Sequence, residues 1–103
     1  MHVLLKHPLV DSDVEEAAFW YHERDPAVAL RFVDATRLGM RTAAESPLRF
    51  AVRFEDVRRV RLRRFPHSVF FTLRGDIVLV LGVLHGARDL PRALSARRPE
   101  VIR

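Results

Sequence analysis

Cysteine is absent from the 103-residue sequence, and lysine occurs once, at Lys6. Without cysteine neither a disulfide framework nor a thiolate-bound zinc site is available, and a cytoplasmic protein is the natural expectation. Long apolar runs are missing as well. None approaches the roughly 20 residues that a membrane span requires, and the opening MHVLLKHP lacks the apolar stretch of a secretory signal. A soluble, unexported protein with no membrane association is expected. Also lacking are a glycine-rich phosphate loop, an H-E-x-x-H pair and a G-x-S-x-G elbow. Nucleotide hydrolysis, zinc proteolysis and α/β-hydrolase chemistry therefore have no support. There is no internal repeat and no low-complexity linker; with 49% hydrophobic residues the chain can build one core, so residues 1–103 read as a single domain.

What the sequence has is arginine, unevenly placed. Residues 1–56 hold 7 basic and 10 acidic side chains, net −3, whereas residues 57–103 hold 11 and 3, net +8. Arginine's planar fork suits phosphate and carboxylate partners better than a point-like ammonium does. A coding bias towards arginine would give the same total, but not the same placement.

The most informative stretch is VRRVRLRRFPHSVFFTLRGDIVLVLGVLHGAR, residues 57–88. Its first part has a period of two, placing Val60 and Leu62 on one face of a strand and Arg59, Arg61 and Arg63 on the other. The run Ile77 to Leu84 is apolar at both parities, β-branched and short, which suits a strand covered on both faces. Between them SVFFTL reads as a third strand, and Gly75-Asp76 fits a two-residue hairpin turn with glycine at positive φ. Three consecutive antiparallel strands follow.

Upstream, residues 2–6 form a short strand stopped by Pro8. Ser12 and Glu15 have capping-box spacing, so a helix is expected from about residue 12 to Arg24. Its buried stripe is Val14, Ala17, Ala18 and Tyr21, widened by Phe19 and Trp20. Asp25-Pro26 starts a second helix at once, with a stripe of Ala29, Phe32, Val33, Thr36, Met40 and Ala43, and Pro47 ends it. Residues 47–56 read as a loop with some extended character. Asp89 and Pro91 open a short basic helix, and the terminal PEVIR is expected to fray. The expected fold is α+β: a helix hairpin packed on a mostly antiparallel four-stranded sheet, the arginine row on the other face, and a short C-terminal helix.

Chemistry-bearing residues are few. A structural or hydrogen-bonding role fits His67 and His85 better than a metal site, since no cysteine or carboxylate pair accompanies them; no metal and no cofactor is implied. Arginines two apart on a strand lie roughly 6 to 7 Å from one another, near the spacing of successive phosphates. Nucleic acid, an acidic protein partner and a merely solvated face all match that row.

The order strand, helix hairpin, three strands resembles the RelE/ParE superfamily of bacterial toxins from toxin–antitoxin modules, over about residues 2–92. EEAAFWYHERDPAVALRFVDA is similar to the family's hairpin, and VLHGARD to the histidine-and-arginine ending of the last strand in ParE-like members. The resemblance implies a cognate antitoxin encoded by an adjacent gene, whose C-terminal amphipathic helix wraps the toxin. In the RelE-like branch, which cuts messenger RNA on the ribosome, Arg61, Arg63, His85 and Arg88 would be the catalytic candidates. There, however, the tyrosine-arginine pair at the start of the third strand is matched by His67-Ser68, and nothing after Arg88 is aromatic or imidazole. His67 or His85 would have to supply the base. ParE-like members act on DNA gyrase and need no such set, so the ParE-like branch is favoured, with Arg59, Arg61, Arg63, His67 and Arg88 expected to bind target or antitoxin. A folded member without activity is the third possibility.

Overall fold

A computed structural model describes residues 2–86 and 89–98. The chain runs β1 (Val3–Lys6), α1 (Val10–His22), α2 (Pro26–Glu45), a 3₁₀ turn (Pro47–Arg49), β2 (Val52–Phe54), β3 (Val57–Arg61), β4 (His67–Arg74), β5 (Ile77–His85) and α3 (Leu90–Ser95). The strands form one sheet in the order β1-β5-β4-β3-β2. All neighbours are antiparallel except β1 and β5, which are parallel. The class is as expected, and the sheet has five strands rather than four. The extra one is β2, inside the segment read as a loop: three residues of alternating Phe50-Val52-Phe54 pattern suffice once β3 offers an edge to pair with.

Each face of the sheet has its own core. On one side α1 and α2 cover Val60, Leu62, Val69, Phe71, Val78, Val80 and Val83, with Val10, Phe32 and Ala43 supplied by the helices. On the other, the short α3 lays Leu94 on Val57, Phe70, Leu81 and Leu84. β5 serves both cores because its residues alternate between them, as a strand apolar at both parities must.

The α2 boundaries follow the sequence closely. The Asp25 side chain accepts from Ala27 N at 3.0 Å with Pro26 just inside the helix. The α2 stripe includes Gly39, where a Cβ would come within 3.0 Å of Leu62 Cδ2 and 3.2 Å of Val69 Cγ2. Close approach of α2 to the strands is thus what this glycine permits. Helix α1 departs from expectation at its start: it begins at Val10, and Leu9 occupies the cap position without a side-chain bond. Ser12 lies one turn in and its hydroxyl donates to Leu9 O at 2.9 Å, so no capping box forms. Phe19 and Trp20 do not widen the buried stripe. They are 64% and 51% exposed, because Val14, Ala17, Ala18 and Tyr21 already span the face that meets the core and the next positions round the helix point away.

Gly75, at φ +57°, makes the two-residue turn between Arg74 and its partner Ile77. Opposite Phe70 the β5 strand carries one extra residue, so Phe71 pairs with Val80 while Phe70 pairs with Gly82. This bulge at Leu81 resets the alternation, leaving Val80 and Val83 on the same core.

Candidate functional site

The arginine row is interrupted. Within β3, Val57, Arg59 and Arg61 alternate with Arg58 and Val60, as the sequence implied, but the strand ends at Arg61 and residues 63–66 form a turn with Arg64 at φ +69°. Arg63 therefore leaves the row. Arg59 pairs with Phe70 across the strands and is half-buried. Burial, joined by the like charges of Arg53 and Arg61, pulls its pKa below the ordinary arginine value, although a guanidinium keeps its proton throughout the working range. Arg53, on β2, is the member of this cluster that sequence reading missed; its signal was the alternation in RFAVRFED, hidden by the loop assignment. Arg58, of the other parity, points to the hairpin side and donates to Phe50 O at 2.6 Å.

Arg61 and Arg63 instead join an open trough of about 990 Å³ between α2 and the β3 end. Its floor includes Leu38, Gly39, Phe50, Leu62 and Phe65, and Arg31, Arg49, Arg61, Arg63 and Arg64 outnumber the one acid in its lining, Asp34. None of these five arginines has a carboxylate partner among the described residues. An apolar floor under a cationic rim matches an acidic, amphipathic segment.

The histidines lie elsewhere. His67 and His85 face each other across β4 and β5 with ring centroids 5.4 Å apart. His67 also packs edge-on to Phe32 at 5.0 Å and Tyr21 at 6.1 Å, and its buried Nδ1 has no hydrogen-bond partner among the described residues. Burial pulls the His67 pKa down, and the positive charge His85 can carry pulls it further. The pair sits on a cleft of about 470 Å³ whose other walls include Asp13, Glu16, Trp20 and Tyr21. Two carboxylates line it, Asp13 already paired with Arg97, and no arginine does, so it offers a phosphodiester no free guanidinium. Of the residues expected to bind target or antitoxin, His67 is turned by its strand position to the hairpin side, whereas Arg59 lies on the opposite face of the sheet with Phe70. Arg88 lies outside the described residues.

Beyond Val80, β5 has lost its β1 neighbour, and side chains take over its open edge. Asp13 accepts from Val83 N at 3.1 Å, and Arg97 donates to Leu81 O at 3.1 Å. The two are joined at 2.6 Å with side chains only 7% and 12% exposed. Gly82 leaves the room they need: a Cβ there would lie 2.8 Å from Arg97 Nη1 and 3.2 Å from Asp13 Oδ2. Arg98 meanwhile binds Asp56 at 2.9 Å and Glu55 at 2.6 Å, and Arg74 also pairs with Asp56. Burial would raise the Asp56 carboxyl, but hydrogen bonds and charge from Arg74 and Arg98 outweigh it and hold the pKa below the ordinary value. Two ion-pair clusters thus fasten the α3 segment over the second core. Neither was legible in the sequence.

A family model described as ParE toxin of type II toxin–antitoxin system, parDE, matches residues 4–90. Among solved structures, a chain from the chromosomal ParDE TA system of P. aeruginosa superposes with a TM-score of 0.73 at 20% identity, covering 82% of this chain and 96% of that one. At that identity the likeness is one of fold. Among curated proteins none matches the chain, and among the described residues no helix is long and apolar enough to cross a membrane.

Proposed function

From the premise that this chain belongs to the ParE toxin family of type II toxin–antitoxin systems, whose model matches residues 4–90, we propose that its target is DNA gyrase and that the trough between α2 and β3 seats its cognate antitoxin. The observation that carries the first part is the separation of charge from imidazole. Cleavage of an RNA backbone needs a cation beside a general acid and base, yet Arg59 lies on the outer face of β3, Arg61 and Arg63 line the trough, and Arg97, which reaches the histidine cleft at Asp13, is held there in an ion pair. The His67–His85 pair occupies a cleft walled by Asp13 and Glu16. What remains is binding, and a toxin that binds gyrase needs surfaces rather than an acid–base set.

The trough supports the second part. An antitoxin segment carrying acidic residues on one flank and apolar residues on the other would neutralise the arginine rim and cover Leu38, Phe50 and Phe65. Opposite charge speeds the encounter, and apolar anchors set the dissociation rate. Two assays run side by side test the target: gyrase supercoiling with DNA breakage, and codon-specific cleavage of messenger RNA on translating ribosomes. Inhibition of gyrase with intact messenger RNA is expected; ribosome-dependent cleavage with gyrase untouched overturns the reading. Silence in both, with antitoxin still bound, marks an inactive member. Co-purification of a small protein encoded by the adjacent reading frame tests the partner, and Arg61→Glu with Arg63→Glu should weaken that complex at least tenfold.

A further inference from the structure

The outer face of α1 carries the chemistry that the trough is missing. Along the helix, Glu15, Phe19 and the capping Glu23 follow one another at four-residue steps, with Glu16 and Trp20 beside them, so these five share one broad flank. Phe19 is 64% and Trp20 51% exposed, unusual for aromatic side chains on a charged helix face. Asp11 is paired with Lys6 at 2.9 Å; Glu15, Glu16 and Glu23 have no ion-pair partner among the described residues. Arg24 also lies here, its guanidinium 3.4 Å from the Trp20 ring centroid, where it stiffens the indole. The result is an acidic amphipathic helix, apolar at Phe19 and Trp20 and charged around them, displayed by the folded protein itself.

We infer that the antitoxin-free protein associates with a second copy of itself, α1 of one molecule entering the α2–β3 trough of the next. Charge complementarity selects this occupant: three glutamates without an ion pair among the described residues meet a trough in which five arginines outnumber one acid, Asp34. Length agrees as well. From Glu15 to Glu23 the helix rises about 12 Å, within the trough, which follows α2 from Arg31 to Thr42, about 16 Å at the same rise. The two surfaces lie on opposite flanks of the hairpin, since α1 packs on β5 whereas α2 reaches β3 and β4. One molecule can therefore use both at once. The contact is head-to-tail and does not close on itself, so it propagates. A helix face of about two turns buries less than the roughly 1,200 Å² of a stable complex, which makes the association weak, dependent on concentration and sensitive to salt. The inference rests on the trough's chemistry in the proposed function, not on the gyrase assignment.

Sedimentation of the purified, antitoxin-free chain tests it without any partner. At about 0.05 M salt the weight-average mass should rise with concentration and fall back to the monomer at about 0.5 M. Two variants with exposed substitutions then separate the faces: Glu15→Arg with Phe19→Ser spoils the helix, and Arg61→Glu with Arg63→Glu spoils the trough. Each alone should stay monomeric with unchanged circular dichroism. Mixed, they should form a one-to-one dimer and nothing larger, because each keeps one working face. A wild-type chain that stays monomeric at low salt overturns the proposal. So does a mixture that fails to pair, or either variant still associating alone, which would assign the contact to another surface such as the β1 edge. Antitoxin binding lost by the trough variant while the mixture stays monomeric would leave the antitoxin reading standing and remove this one.

Discussion

Replacing Asp13 by alanine should cost far more stability than replacing any exposed acid of α1. The carboxylate is 7% exposed and binds Arg97 Nη1 at 2.6 Å, Arg97 Nη2 at 3.2 Å and Val83 N at 3.1 Å. Its removal leaves a guanidinium that is only 12% exposed without its counter-charge and a strand N–H without an acceptor. Breaking a buried pair from one side costs about 3 to 5 kcal/mol, within which the orphaned N–H accounts for about 1 to 3. Against a usual total of about 5 to 15 kcal/mol, and at about 4 to 8 °C per kcal/mol for a domain of this size, the melting temperature should fall by more than about 10 °C. Asp13→Asn should fall between, since its amide oxygen still accepts from Val83. Adding Arg97→Met to Asp13→Ala should recover part of the loss, the signature of coupling in a double-mutant cycle. Thermal and urea melts of the wild type, Asp13→Ala, Asp13→Asn, Arg97→Met alone and the double variant decide it. A cost below about 1 kcal/mol for Asp13→Ala, or strict additivity, would refute the reasoning and return the pair to the class of solvated ion pairs.

Gly82→Ala attacks the same clamp from the strand, because its Cβ would sit 2.8 Å from Arg97 Nη1 and 3.0 Å from Leu94 Cδ2; a loss of about 1 to 3 kcal/mol is expected in chemical denaturation. Gly39→Ala sets a helix-propensity gain of about 1 kcal/mol against contacts of 3.0 and 3.2 Å with Leu62 and Val69. The contacts should win, giving net destabilisation in a urea melt despite the better helix former. For His67 the folded pKa lies below the unfolded value of 6.5, so the unfolded chain binds the extra proton between the two. Its contribution to stability is intact above 6.5 and is lost as pH falls through 6.5 towards the folded pKa. His67→Phe should flatten the dependence of melting temperature on pH in that window, where Asp56, lowered from 3.8, does not yet titrate.

The parts legible in the sequence were those governed by local chemistry. Asp25-Pro26, the alternation of β3, the glycine turn at Gly75 and the doubly apolar β5 each depend on neighbours within a few residues, and each stands where it was expected. Ser12 shows the limit: its spacing to Glu15 allowed a cap, but the chain turned two residues earlier, where His7 Nδ1 could accept from Leu9 N at 3.1 Å. β2 was missed because three residues carry too little pattern to be a strand without an edge beside them. Phe19 and Trp20 were misread because an aromatic type signals burial only on average. The Asp13–Arg97 pair joins residues 84 positions apart, and nothing local to either marks it. For the candidate surfaces, arginine content was plain from composition, whereas the break after Arg61 and the turn of His67 to the other side required the register.

The parallel pairing of β1 with β5 has a consequence in time. Val3 finds its sheet neighbour only at Ile77, so while the chain is being synthesised the first strand waits, unpaired, for the last of the five described. The hairpin of α1 and α2 is local and can assemble within microseconds once it emerges, but the sheet cannot close until β5 is clear of the ribosome. During that interval Val3, Leu4 and Leu5, which stay exposed even in the finished fold, have no strand beside them. A nascent chain interrupted before Ile77 therefore keeps its helix pair and the β2, β3 and β4 strands but lacks the strand that joins them to β1 and brings Leu81 and Leu84 to the second core.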